Sequence, residues 1–509
     1  MGEILLGVIT KPDNTRYFIA SSTYIGDVEP IGGGTAVPTV FYGDIPDDKP
    51  IAWRKEMGFF VWGRRSMHEI GETWLMNEPA FAETSGRYDG LLYDSRDSKL
   101  EYFIVEDENQ AFSTAVRVGE WIIDDVSNPN DQYVVITVVD KLSQVDKNTE
   151  HEYYSNTLVF TENREQPRPI VIGRCNQMPL TLIDDVDNIY EAHFEGTVSN
   201  FIDAYDTADI FVPGVDYTEG VQSTGGYGIN LANKPAGVIT AHVSGGEWMG
   251  GSTRIIDNFV PYLLVTCGGM DIADINTASL TAIDTDWSNR YDVFIQSGSN
   301  IRDVLEDVMV GHCGYVYQNN DGEVTFGYVQ QPKVTADHEL NDINIASDGI
   351  KITLDKAPGL SDAVSWRRNW YVFTYDDVKD VGITEAEKQE ASREYVYNYR
   401  SATTTGGGDA FHDTYAHARH GDHIKTLTDG GNNGTDLISH LEDDLYDVER
   451  HFHTFERISE TVIEALTIEL GETMELVDAR FFPSGKNTLI SAIAGESLLS
   501  KKVEFETWG

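Results

Sequence analysis

The sequence predicts an α+β chain that is predominantly β, built from several β-barrel or sandwich-like domains with a few amphipathic helices inserted. Three observations carry this. Short runs rich in aromatic and β-branched residues recur along the chain, bounded by Gly, Pro, Asn and Asp. A few segments switch to the helical spacing of apolar residues. The length of 509 residues suits about three or four domains of ~100–200 residues.

The elements follow in order. Residues 1–147 read as a β-rich N-terminal unit. "DNTRYFIASSTYIGDVEP" supplies one or two strands, and "IGGGTAVPTVFYGDIPDDKP" a glycine-rich turn and a proline-punctuated loop. "EYFIVED", "EWIIDDV" and "QYVVITVVDKL" are strands, and "DVSNPNDQ" reads as a loop on its turn residues. A polar linker beginning at Asp146 leads to a second β-rich unit, residues 148–250, with strands in "PIVIGRCNQMPLTLID", "NIYEAHFEG", "FIDAYDTADIFV" and "GVITAHVSG".

The period changes in residues 251–335. Ile255, Ile256, Phe259, Val260, Leu263, Leu264 and Cys267 keep helical spacing, which Pro261 should disturb because it lacks an N–H. Ile301, Val304, Leu305, Val308 and Met309 form one apolar stripe, with Asn300 or Ser299 to cap the start. "GYVYQNNDGEVTFGYV" is then a hairpin with Asn-Asp-Gly at its tip. Residues 336–509 read as a C-terminal β unit with a long helix. Leu437, Ile438, Leu441, Leu445, Val448 and Phe452 give that helix its stripe, and Thr384 with Glu387 has capping-box form in a shorter one. Three strand-like pieces close the chain.

Charge excludes some function classes. There are 84 acidic against 37 basic residues, a formal net charge of −47. Phosphate binding needs a basic footprint, so direct nucleic-acid binding is not expected; anionic membranes are disfavoured for the same reason. No apolar stretch approaches the ~20 residues that span a bilayer, and the N-terminus has no signal-peptide form. Synthesis in a cytoplasm is expected. Cys175, Cys267 and Cys313 lie far apart without a CxxC, which favours reduced thiols over a disulfide framework or a zinc site.

No catalytic constellation stands out. His412, His417, His420 and His423 alternate with Asp413 and Asp422, all proper metal ligands, yet their spacing fits no known ligand pair. No metal and no cofactor is expected. The glycine-rich stretches Gly220–Gly228 and Val243–Ser252 lack phosphate-loop and dinucleotide patterns and read as turns. Cys313 follows His312 but sits at a helix end, which favours core packing.

One stretch stands out in so acidic a chain, "LSDAVSWRRNWYVFTYDDV" from Leu360 to Val378. Its alternation predicts a strand with Val364 and Trp366 on one face and Ser365 and Arg367 on the other, interrupted by a bulge at Arg368 and Asn369. Arginine beside tryptophan suits ring stacking, ion pairing within the fold, or a protein joint, since both residues are enriched in binding hot spots. Trp366, Arg367, Arg368 and Trp370 are the candidate interface residues.

From Pro169 to Gly509 a collinear series of segments resembles tail-tip or baseplate hub proteins of long-tailed bacteriophages and prophages. It comprises "PIVIGRCNQMPLTLID", "GGMDIADINTASLTAID", the helix-plus-hairpin block, "SDAVSWRRNWYVF", "TIELGETMELVDARF" with "GKNTLISAI", and the terminal "KKVEFETWG". The resemblance implies a structural, non-enzymatic virion protein at the tail tip, made in the host bacterial cytoplasm. It implies a homo-oligomer, a trimer ring, that joins the tail tube to the central spike or fibre and contacts the distal tail ring. A tail-associated host-surface-binding protein or a cell-wall- or capsule-degrading enzyme is the alternative.

Overall fold

The computed structural model of the chain describes residues 3–508 except 32, 34, 60–64, 78–86, 94, 96–97, 131, 146–152, 208, 250, 254, 287–290, 297–299, 310–313, 329–331, 342, 344, 355–360, 368, 375–383, 386–387, 390–391, 402–422, 427–450, 459–465 and 501. Among these, strands dominate and helices are few, the class the sequence predicts.

A six-stranded antiparallel sheet opens the molecule. Its spatial order is Arg16–Ala20, Ile4–Thr10, Lys99–Val105, Val116–Asn130, Tyr133–Val139, Thr73–Met76. "ILLGVIT" is apolar without alternation because both faces of that strand are covered. Leu5 and Ile9 enter the main core; Ile4, Leu6 and Val8 enter a smaller one beneath the hairpin of Tyr24–Val28 and Val37–Phe41. That second hairpin strand falls where the sequence suggests only a loop. Pro38 is tolerated because, among the described residues, only Tyr24–Val28 pairs with its strand. "DVSNPN" is also strand rather than loop: Val116–Asn130 runs on until Asn130 faces Tyr133, and an irregularity after Ser127 accommodates Pro129.

The second unit consists of two four-stranded sheets. One runs Arg174–Pro179, Ile239–Ser244, Asn200–Asp206, Asp209–Ile210; the other runs Thr181–Asp184, Ile189–His193, Tyr227–Leu231, Tyr217–Val221. Both face a core of their own that includes Cys175, Met178, Ala204, Ile229 and Val243. The described part of the preceding polar segment is not loose: Tyr154 and Leu158 are buried with Ile183.

Pro261 acts as its chemistry requires. Helix Ile256–Pro261 continues as a π-helical turn, Tyr262–Thr266, in which Cys267 N–H reaches Tyr262 O at 3.2 Å. Helix Thr277–Asp286 follows, then Ile301–Met309. In the latter the whole predicted stripe is buried, and Asn300 Oδ1 accepts from Arg302 N–H at 2.8 Å. Strands Gly314–Gln318 and Val324–Tyr328 form the expected hairpin, with Gly322 at φ +78° in its tip.

The last sheet draws on both ends of the chain. Its path is His338–Asn341, Thr473–Asp478, Phe482–Gly495, Lys502–Trp508, His451–Ile458, Ile345–Leu354. Trp53–Glu56 pairs with Phe482–Gly495 and with Met67–Ile70, and Gly58–Phe59 pairs with Gly314–Gln318. One hydrophobic core therefore runs from Leu5 to Phe505. The helix periodicity through Phe452 is overruled at its end, because His451–Ile458 is a strand hydrogen-bonded on both sides. The rest of that predicted helix lies outside the described residues.

Candidate functional site

The Trp/Arg stretch forms strand Ser361–Arg367, central in a three-stranded sheet. It pairs antiparallel with Tyr395–Ser401, placing Trp366 opposite Val396 and Arg367 opposite Tyr395, and parallel with His423–Thr426. The described strand ends at Arg367, and the bulge expected at Arg368 and Asn369 falls in part outside the described residues. Arg368 lies outside the described residues. Beyond it the chain crosses to the second unit: Trp370 N–H donates to Asn176 O at 3.0 Å and Tyr371 N–H to Gln177 O at 2.8 Å. Trp370 packs edge-on against Phe294, 5.9 Å between ring centres. Asn369 is buried, and its Nδ2 donates to Arg393 O at 2.9 Å.

Of the histidine segment, only the backbone of His423 is described, at the start of its strand; His412, His417 and His420 lie outside, as do His312 and Cys313. Among the described residues no group of three His, Cys, Asp or Glu is placed to hold a metal ion.

The structure instead brings together buried charges that the sequence does not pair. Lys141 Nζ lies 2.7 Å from Glu120 Oε1 and 2.5 Å from Asp274 Oδ1, and Lys99 adds a second contact to Glu120 at 3.1 Å. Arg117 bridges Glu101 and Glu120 from the same strand pair. Burial pushes the Glu120 carboxyl up, but Lys141 and Lys99 outweigh it and hold it below the usual range. This network ties the first sheet to the helical segment. In the second unit Arg168 Nε meets Glu191 at 2.9 Å, and Tyr154 Oη donates to the same carboxylate at 3.0 Å. Arg168 and Glu191 are both buried.

A third cluster invites a chemical reading. Tyr262 Oη donates to Glu195 Oε2 at 2.7 Å, and His193 Nε2 lies 3.3 Å from the same oxygen. Val171 N–H donates to His193 Nδ1 at 3.0 Å, so the ring proton sits on Nε2 and points at Glu195. Nucleophilic use of the nearby Cys267 would need a thiolate. Burial first, then the Glu195 charge, pushes that thiol far up, and burial does the same to the Tyr262 phenol. Both groups stay protonated, and the cluster fixes the π-helical turn against the second unit. A fourth group surrounds Lys55, buried in the sheet shared by both chain ends, where Asn320 Oδ1 accepts from its Nζ. Burial lowers the Lys55 pKa and, with Lys55 beside it, holds His68 well below the ordinary histidine value.

No sequence signal marks these partners. Arg168 and Glu191 are 23 residues apart and Lys141 and Asp274 are 133 apart, and so many acidic residues hide any particular pair.

No protein-family model matches the chain, and no curated protein does. Solved structures similar to it include tail proteins. The 43 kDa tail protein of prophage MuSo2 from Shewanella oneidensis is 7% identical with a TM-score of 0.40, covering 99% of this chain and 98% of that one. The tail protein from Neisseria meningitidis is 8% identical with a TM-score of 0.40, covering 100% and 97%. The prophage tail protein gp18 from Listeria monocytogenes is 7% identical with a TM-score of 0.39, covering 99% and 94%. Likenesses this loose carry no function across.

Proposed function

We propose that this chain is a structural subunit of a phage tail. More finely, it is the hub of the tail tip or baseplate, a homotrimeric ring that joins the tail tube to the central spike or fibre and meets the distal tail ring. It would act in the virion after synthesis in the host cytoplasm, without catalysis, cofactor or metal. The supporting observation is the collinear motif series from Pro169 to Gly509. Its segments are also neighbours in space: Ile170–Ile172 pairs with Val293–Ile295 just ahead of the helix and hairpin, and Thr473–Asp478, Phe482–Gly495 and Lys502–Trp508 adjoin in one sheet. The units 1–147, 148–250, 251–335 and 336–509 are the proposed working divisions.

Within this reading Trp366, Arg367 and Arg368 serve the joint between subunits, and Trp370 anchors the end of their strand on Phe294. Native mass measurement and particle imaging test the ring. Arg367→Ala and Arg368→Ala should leave the unfolding midpoint nearly unchanged, since an exposed arginine pair contributes only ~0–1 kcal/mol to folding, and at least one should reduce assembly. Normal assembly of both removes this stretch from the joint; the hub reading stands or falls on the mass.

A further inference from the structure

The second unit ends in an open strand edge. Among the described residues, Tyr217–Val221 pairs with Tyr227–Leu231 and with no other strand. Ala232 N–H donates to Asp216 O at 2.8 Å and Gln222 N–H to Gly226 O at 2.7 Å. Hydrogen-bonded pairs alternate along an antiparallel ladder. Thr218 and Gly220 therefore bond to the neighbouring strand, and Tyr217, Glu219 and Val221 turn their backbone groups outward. Gly214 N–H takes the Tyr217 carbonyl at 2.8 Å. The outward groups of Glu219 and Val221 form the edge. A Cβ added at Gly220 would meet nothing within 4 Å, so the space over the strand is open.

Exposed aliphatic side chains lie on this strand and in the segment that leads into it. Ile210, Val212, Val215 and Val221 are 60%, 52%, 69% and 63% exposed. Exposed apolar groups beside an uncovered strand edge mark an interaction surface, because such an edge invites another strand. The stretch that builds this edge and the strands around it, residues 175–233, contains ten acidic residues and no lysine or arginine. Glu191 has Arg168 for a partner. Asp203 and Glu219 instead lie close enough to the Tyr217 ring to raise its pKa, after burial. A second copy of a chain with net charge −47 brings more negative charge to such a site, so the complementary occupant is basic.

We propose that this edge docks an extended, lysine- or arginine-bearing segment of another polypeptide, which adds as a strand beside Tyr217–Val221 and lays its apolar side chains over Ile210, Val212 and Val221. Backbone pairing would give affinity, and the carboxylates would select the charge of the partner. The inference does not rest on the tail-tip reading.

The test uses the full chain and two short synthetic peptides, one alternating valine with lysine and one alternating valine with glutamate, titrated calorimetrically at low salt. The lysine peptide should bind and the glutamate peptide should not. Glu219→Lys should weaken binding at least ~10-fold. Val221→Pro should abolish it, because the Val221 N–H points away from the ladder and its loss spares the sheet; the thermal midpoint checks that both variants fold. Absence of binding, or binding unchanged in Glu219→Lys, overturns the proposal. So does a Glu219→Lys variant whose assembly mass changes without the peptide, since the edge would then join copies of this chain.

Discussion

Arg168 and Glu191 are the clearest case at the scale of single residues. Both are buried, and the pair holds Tyr154 against the second unit. Breaking a buried pair from one side strands a charge and typically costs ~3–5 kcal/mol. Arg168→Met should cost about that in urea unfolding, and Arg168→Met with Glu191→Gln should cost less than Arg168→Met alone. A double variant as damaged as the sum of the singles would refute this account. His68 gives a pH signature. Its folded pKa is lowered, by burial and then by Lys55, so the unfolded chain binds the proton first. Its stabilising contribution is full above the ordinary histidine value of 6.5 and declines as pH falls below it. The thermal midpoint should therefore fall less between pH ~7 and ~5 in His68→Gln than in the parent chain; equal slopes would remove His68 as the cause. Neither feature was legible in the sequence, because such partners meet only through the sheet topology. The roles of Trp366 and Arg367 were legible only as far as the strand that carries them.

Elements were legible where local chemistry agreed with tertiary demand. The stripe from Ile301 to Met309, the cap at Asn300 and the Asn-Asp-Gly tip are all where their spacing places them. Gly322 shows how closely that tip is fitted: at φ +78°, an added Cβ would stand 2.8 Å from the Glu120 Cβ. Gly322→Ala should lower stability by ~1–2 kcal/mol in equilibrium unfolding; an unchanged midpoint would mean that the tip is free to move. Local chemistry misled where pairing decided the outcome. "DVSNPN" has turn composition but is held as strand by Tyr133–Val139, and His451–Ile458 is helical in spacing but has a partner strand on each side. Helix Thr277–Asp286 gave no periodic signal, since its apolar residues do not form a narrow stripe.

At the scale of the whole molecule, the chain ends are interwoven. Trp53–Glu56, with Met67–Ile70 paired beside it, joins a sheet made otherwise of strands beyond residue 337, and Gly58–Phe59 extends the hairpin sheet. A fragment of residues 148–509 should therefore unfold at lower temperature than the full chain, or aggregate, because it leaves the Phe482–Gly495 edge uncovered; equal midpoints would contradict this. Charge acts on the assembly as a whole. Screening confines repulsion between acidic surfaces to ~8 Å at physiological ionic strength, so self-association should be stronger at seawater-like salt than at very low salt. The fold class was legible from composition and turn spacing; the interweaving was not, since no local signal links residue 53 to residue 495. The most direct test of the tail-tip reading is the native mass of the purified full chain at seawater-like salt. The account predicts a closed trimer, three times the 56.8 kDa chain mass; a 56.8 kDa monomer at every protein and salt concentration would contradict it.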